Sequence, residues 1–367
     1  MSLAIYRKYR PKTLTDVLGQ ESTTEVLKNA AKQDKLSHAY LFYGPRGSGK
    51  TTAARILAKI ANCETRMNDP KFRESGEPCN HCRPCLEIDE GRALDVIEID
   101  AASNRGIEEI RNLKEGIKLS PASYRRKVFI IDEVHQLTKE AFNALLKTLE
   151  EPPEHAIFIL ATTEYEKLPA TIISRTQRFN FRRLSVKTIL GKLQTIVKEE
   201  KLKISDDALE LVAVAAEGSF RDAESLLDQI ISLGEAADLE SVESLLGKVG
   251  FTKTADLAEE LIKKDLEKSL KTLSDINEAG YNLVELNHDL IHYLRRVLVL
   301  HFNPDMKNVF ESELTPDELQ TLVRQSKEAD PEKLTAMLKS LIRAYSEMRY
   351  SPFAIVPLEM AIIENLK

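Results

Sequence analysis

The sequence predicts an α/β domain built on a parallel sheet, followed by helical domains. Three observations carry this prediction. Up to about residue 181, short β-rich apolar runs alternate with helical patterns, the signature of an open α/β sheet. The runs are apolar at consecutive positions, as suits strands buried on both faces. After "NFRRLS" the strand signals stop, and residues 185–367 carry helical periodicity broken by turns.

Taken in order, the strand candidates are "AYLFY" (39–43), "LDVIEID" (94–100), "KVFIID" (127–132) and "AIFILAT" (156–162). Each is rich in Val, Ile, Phe or Tyr and is bounded by polar or turn residues. Helix candidates at 22–33, 50–61, 106–118 and 138–150 lie between them. In the helical tail, "SVESLLGKVG" ends in a glycine able to stop a helix, so the tail divides near residue 245. The expected domains are therefore 1–181, 182–245 and 246–367.

Bulk properties narrow the function. The 367 residues suffice for two or three domains, and 43% hydrophobic with 30% charged residues is an ordinary soluble balance. A formal net charge of -6 argues against wholesale nucleic-acid binding, so any DNA contact must be a local basic surface. The first sixty residues, at +7, are such a region. Neither a signal-peptide core nor an apolar run of membrane-spanning length is visible, which makes a cytoplasmic location the expectation.

"GPRGSGKT", residues 44–51, follows a predicted strand and opens a predicted helix. That is the context in which G-x-x-x-x-G-K-[ST] binds phosphates. Gly44, Arg46, Gly47, Ser48 and Gly49 turn backbone N–H groups inward, and Pro45, which has no N–H, belongs to the same loop. Lys50 reaches the β- and γ-phosphates, Thr51 offers a hydroxyl to Mg²⁺, and Thr52 continues the cradle. "VFIIDEVH", residues 128–135, carries Asp132 and Glu133 to the C-terminal end of a strand, where α/β ligand sites lie. Asp132 suits the Mg²⁺ shell and Glu133 suits activation of an attacking water. An acidic pair that merely caps the next helix is the competing reading. "DEVH" also resembles the DExH box of helicases, but a second set of helicase motifs is missing.

All four cysteines fall between residues 63 and 85. Cys79, Cys82 and Cys85 stand at two successive C-x-x-C spacings in "CNHCRPC", and Cys63 precedes them. Four thiolates suit tetrahedral structural zinc, and a segment with little apolar material gains folding energy from metal. A redox C-x-x-C and two disulfides are the alternatives; His81 reads as a solvated loop residue.

The order "YRKYRP…VLGQ…HAYLFYGPRGSGKTT…CNHCRPC…IEIDAASN…IIDEVH…NALLKTLEEPP…ISRT…GSFRDAESLLDQ" closely resembles the gamma/tau subunits of the bacterial DNA polymerase III clamp loader. These are AAA+ P-loop ATPases, with a parallel-sheet domain, a helical lid and an all-α collar. The resemblance is dense to about residue 245 and thinner beyond; "NALLKTLEEPPE" and the cysteine module are its most specific parts. It implies that Tyr6, Arg7, Arg10, Pro11, Val17 and Leu18 border the adenine and ribose. It also implies that Thr163 is the sensor of the γ-phosphate and that Arg221 in "GSFRDA" is a second sensor on the lid. Read alone, "YRKYRP" is equally a basic surface segment.

The same resemblance implies that Arg175 is a finger acting in trans on a neighbour's nucleotide. Here "SRT" puts Thr176 where the family usually has cysteine, which keeps the charge and changes the packing behind it. Residues near Arg105 would face primer–template DNA. The implied partners are delta, delta prime, further gamma/tau copies, the sliding clamp and the polymerase core; the implied cofactors are ATP, Mg²⁺ and structural Zn²⁺. Two other functions compete: a scaffold that does not hydrolyse ATP, and an AAA+ branch-migration motor. The scaffold should lack Lys50, Glu133 or Arg175, and the motor should lack the cysteine insertion and collar.

Overall fold

The apolar runs fold as strands β1 (Ala39–Tyr43), β2 (Val96–Asp100), β3 (Lys127–Asp132) and β4 (Ala156–Thr162), joined by β5 (Gln177–Asn180). The computed structural model describes residues 4–103, 115–232, 237–246, 251–311 and 314–367. The sheet order is β2-β3-β4-β1-β5, and each neighbouring pair runs parallel. Register brings Tyr43 beside Thr162 and Asp100 beside Asp132, so the carboxyl ends of four strands share one edge.

Side-chain alternation then builds two cores. Tyr40, Phe42, Val128, Ile130 and Ile159 point to the face covered by the helix Lys50–Asn62, through its Ala53, Ile56 and Leu57. Leu41, Phe129, Ile131, Phe158 and Leu160 point to the other face, against Phe142 and Leu145 of the helix Lys139–Glu150. Each such large side chain, withdrawn from water, contributes about 1.5–3 kcal/mol.

Two strands depart from the expectation. β2 starts at Val96 because Leu94 is exposed, and as an edge strand it is only half-buried rather than buried on both faces. β5 is absent from the sequence reading because "QRFN" holds a single buried residue, Phe179. Its ring meets Phe42 edge-on at 5.7 Å. Helices form at Glu21–Lys32, Lys50–Asn62 and Lys139–Glu150, close to their expected bounds. The helix expected at 106–118 lies mostly outside the described residues.

The described chain divides into two compact units, Met1–Ala236 and Ala237–Lys367. The boundary read at 245 therefore falls within the second unit, whose first helix is Leu239–Leu246. In the first unit, the helices Val186–Glu200, Asp206–Ala215 and Phe220–Ser232 follow the sheet. Serines begin the first two: Ser185 accepts from the Thr188 N–H and Ser205 from that of Ala208, each cap contributing about 1 kcal/mol. The second unit packs around the helix Leu283–Phe302, whose Leu290, Leu294 and Val297 are fully buried. Its buried Tyr293 hydroxyl donates to Gln325 Oε1 at 2.9 Å, and Gln325 donates to the Ala255 carbonyl at 3.0 Å. No helix among the described residues is long and apolar enough to cross a membrane.

Candidate nucleotide site and cysteine cluster

The turn after β1 exists because glycine occupies its tightest points. A Cβ on Gly44 would stand 2.0 Å from the Phe181 carbonyl oxygen, at a φ of +143°. A Cβ on Gly47 would stand 1.8 Å from Ser219 Oγ, at a φ of +72°. The second closeness joins the loop to the "GSFRDA" turn, where the Phe220 N–H donates to the Gly47 carbonyl at 3.3 Å. Ser48 Oγ closes the loop on the Pro45 carbonyl at 2.7 Å.

Lys50 opens the helix, and its ammonium donates to the carbonyls of Gly44 (2.8 Å) and Pro45 (2.9 Å). Burial pulls its pKa below the ordinary lysine value, opposed by the nearby Glu133 and Asp132 charges. Thr51 Oγ1 donates to Asp132 Oδ2 at 2.6 Å, so the two expected magnesium ligands already touch. The helix N-terminus directs unpaired N–H groups into the same space.

Glu133 follows β3 in the left-handed region, with φ 46°, a conformation that non-glycine residues adopt at a cost of order 1–2 kcal/mol. Its Oε2 accepts from the Thr163 N–H (3.2 Å) and hydroxyl (2.9 Å). His135 stands behind it: Nδ1 is 2.9 Å from Thr162 Oγ1 and 3.3 Å from Glu133 Oε2. Nε2 lies 2.8 Å from Gln136 Nε2 and 3.1 Å from Glu164 Oε1. The Gln136 amide N–H needs an acceptor at Nε2, so we assign the proton to Nδ1, where Thr162 Oγ1 and Glu133 Oε2 can accept it.

A cavity of about 670 Å³ opens over these residues. Arg46, Gly47, Ser48, Gly49, Lys50, Thr51 and Thr52 line it from the loop, Asp132 and Glu133 from the end of β3. Tyr6, Arg10, Pro11, Val17 and Leu18 line it from the N-terminal segment, and Arg221 from the helix Phe220–Ser232. The Arg221 guanidinium lies 5.9 Å from the centroid of the Tyr6 ring. Arg7 departs from expectation: it is exposed, hydrogen-bonds the Tyr6 hydroxyl and is not among the lining residues, because its short helix buries Ile5 instead. Gly44 and Pro45 serve as acceptors for Lys50 rather than as lining.

Arg175 lies elsewhere in the unit. It follows the short helix Ala170–Ile173, and its Nη2 pairs with Glu150 Oε1 at 2.6 Å while Nη1 donates to the Thr171 carbonyl at 2.8 Å. Thr176, in the place of the usual cysteine, satisfies its hydroxyl on the carbonyls of Ile172 and Ile173. Arg105 falls outside the described residues.

Sequence reasoning missed Lys192, Phe220 and Glu224, which also line the cavity. Glu224 is buried and pairs with Lys192 Nζ at 2.6 Å; that ammonium sits 4.4 Å from the Phe220 ring centroid. Burial raises the Glu224 carboxyl pKa, and Lys192 opposes the rise. Glu224 was reachable, one helical turn beyond Arg221 on the same face; nothing in the sequence marked Lys192.

The four cysteines converge. Sγ atoms of Cys63, Cys79, Cys82 and Cys85 all lie within 4.8 Å of one another, and all four thiols are free. Backbone N–H groups of Cys79 and Cys82 donate to Cys63 Sγ (3.4 Å) and Cys79 Sγ (3.2 Å). The Cys63 thiol is held well below the ordinary range, chiefly by a hydrogen bond from Cys85. The donor set and its spacing fit a tetrahedral thiolate-bound ion. His81 stays outside it, exposed, with Nδ1 2.9 Å from the Cys79 carbonyl.

Family models divide the chain into consecutive segments. Residues 19–185 match the model described as DNA polymerase III, delta subunit. Residues 188–236 match the DNA polymerase III clamp loader subunit ATPase lid domain, and 237–366 match domain III of DNA polymerase III subunits gamma and tau. A curated relative, DNA polymerase III subunit gamma of Buchnera aphidicola subsp. Acyrthosiphon pisum, is 34% identical, covering 97% of this chain and 96% of its own. The chain belongs to the DNA polymerase III gamma/tau family. DNA polymerase III subunit tau of Bacillus subtilis is 44% identical over 98% of this chain, and that of Escherichia coli 38% over 98%. This chain spans 62% and 54% of those two gamma/tau relatives. Among solved structures, the Thermotoga maritima RuvB Holliday junction branch migration motor is similar over 69% of this chain and 79% of its own, at 20% identity and TM-score 0.47. The parallel sheet, P-loop and lid give the gamma/tau chain the AAA+ arrangement, followed by a helical unit.

Proposed function

We propose that the chain is an ATP-hydrolysing motor subunit of the replicative clamp loader, working in the DNA polymerase III holoenzyme to open the sliding clamp and load it on primed DNA. One observation carries the reading. Lys50, Thr51, Asp132 and Glu133 meet in one cavity, held by the register of β1 and β3 about β4. In this reading Lys50 and the helix N-terminus bind the β- and γ-phosphates, releasing Lys50 from its carbonyl partners. Magnesium, held by Thr51 and Asp132, supplies charge neutralisation on the same phosphates. Glu133 takes a proton from the attacking water as the γ-phosphoryl passes to the water oxygen and ADP departs. Thr163 orients Glu133 and senses the γ-phosphate, and Arg221 reaches the phosphates from the lid.

Tyr6, Arg10, Pro11, Val17 and Leu18 enclose the base and ribose. The cysteine cluster holds structural zinc. Residues to 181 form the ATPase domain, those from 182 the lid, and the second unit the collar. Its partners are delta, delta prime, further gamma/tau copies, the clamp, primer–template DNA and the polymerase core, all in the cytoplasm.

Arg175 is the finger, completing a neighbour's site where negative charge develops. A mixing experiment tests the motor and its split site together. An Arg175→Ala chain with an intact P-loop is combined with a Lys50→Ala chain in the reconstituted complex with clamp and primed DNA. Hydrolysis above that of either variant complex is expected; no gain on mixing overturns the shared site.

A further inference from the structure

One wall of the cavity is made by Pro11, Val17 and Leu18. The residues joining them form turns and bends, with no helix or strand of their own. Within the segment, the Asp16 side chain accepts from the N–H groups of Lys12 and Thr13, and Leu14 is buried in the sheet's core. Further anchoring comes from the cysteine-bearing insertion. The Glu77 carboxylate accepts from the Leu14 N–H (2.7 Å), the Thr15 N–H (2.9 Å) and the Thr15 hydroxyl (2.7 Å), and pairs with Lys28 at 2.8 Å. Lys59, with its side chain 1% exposed, donates to the Lys12 carbonyl at 3.0 Å. The same ammonium binds Asn80 Oδ1 (2.7 Å) and Asp89 (2.9 Å).

Glu77 and Asn80 flank Cys79, and Asp89 ends the helix that carries Cys85. Asn80 is itself in the left-handed region, at φ 59°. Closing the four cysteines therefore fixes where these three acceptors stand. Val17 completes the link, lying 3.4 Å from where a Cβ on Gly49 would be, against the phosphate loop.

We propose that the cysteine module is a buttress for the nucleotide cavity, with Glu77 and Lys59 as positioning residues that hold residues 12–16 in the binding-competent shape. The inference rests on the reading of this cavity as a nucleotide site. A loop left to order itself on binding lowers affinity by the fraction of time it is disordered. The module therefore acts on how tightly nucleotide is held, and leaves the chemistry at Glu133 alone.

The test is titration of a fluorescent ATP analogue into the full chain, with zinc content measured on each sample. Glu77→Ala should weaken binding about five-fold or more, as for a wall competent one-fifth of the time, with zinc retained. Its kcat at saturating ATP in the assembled complex should stay near wild type. Glu77→Gln keeps an acceptor oxygen and should fall between the two. Stripping zinc from the wild-type chain should weaken the analogue in the same way. Lys50→Ala is the control: if it binds like wild type, the nucleotide reading itself fails. If Lys50→Ala abolishes binding while zinc-loaded Glu77→Ala binds like wild type, the buttress is overturned. Should Glu77→Ala lose zinc, zinc-loaded Glu77→Gln decides, and wild-type affinity there overturns the proposal.

Discussion

At the scale of single residues, the proposed function separates groups that bind from groups that react. Lys50 is buried and already answered by loop carbonyls, whereas Glu133 offers one oxygen to Thr163 and keeps the other unassigned by those bonds. Glu133→Gln should therefore retain ATP binding and lose turnover by roughly 10²-fold or more, read by analogue binding beside steady-state hydrolysis. Normal turnover would remove its role. His135 acts through Glu133, reaching the same Oε2 while anchored on Thr162. His135→Ala should lower kcat roughly ten-fold by misplacing the carboxylate, with ATP affinity little changed. His135→Asn can put an amide donor near the Nδ1 position and should recover part of that loss. Equal defects in both variants would count against positioning. Lys50, Asp132 and Glu133 stood out in the sequence by their spacing, and the structure brings all three to one cavity. His135 was legible as a letter of "DEVH", but its partner Thr162 comes from another strand.

Elements set the coupling between phosphate loop and lid. Ser219, at the start of the helix Phe220–Ser232, occupies the space a side chain on Gly47 would need. The same turn donates a backbone hydrogen bond back to Gly47. In the proposed function, a shift of this loop on binding phosphate is passed to the base of Arg221 through these two contacts. Gly47→Ala combines left-handed strain with a steric clash and should destabilise the chain by about 1–3 kcal/mol. Removing the obstruction in Gly47→Ala/Ser219→Gly should restore part of that melting temperature while the strain persists. A double variant no more stable than the single one would show that the closeness is incidental. "GPRGSGKT" announced its glycines, yet only the fold revealed that one of them answers to a serine in another helical segment.

For the whole molecule, one response to acid can be traced to an ion pair in the second unit. In the second unit, Arg324 and Lys263 hold the Glu259 carboxyl down at about 2. A depressed carboxylate stabilises the fold above its unfolded value, near 4.5, and that contribution fades as pH falls toward 2. Partial exposure limits it to less than about 1 kcal/mol. Melting of the full chain should thus show an acid-induced loss between these values that Arg324→Met reduces. An identical pH profile in the variant would dismiss the pair. The division itself follows composition: helical periodicity foretold the tail, but the break between Ala236 and Ala237 depends on contacts rather than on a glycine signal.

The sequence by itself determined the parallel α/β domain, the phosphate loop, the acidic pair and the four-cysteine set, because each is written in local spacing or in runs of consecutive apolar residues. Tertiary structure alone decided β5, the Lys192–Glu224 pair, the seat of Arg175 on Glu150 and the clasp of Glu77 on Leu14 and Thr15. Those features join residues far apart in the chain. Hydrogen-bond and ion-pair partners across such separations are chosen by the packing of the sheet and helices, which local pattern does not encode.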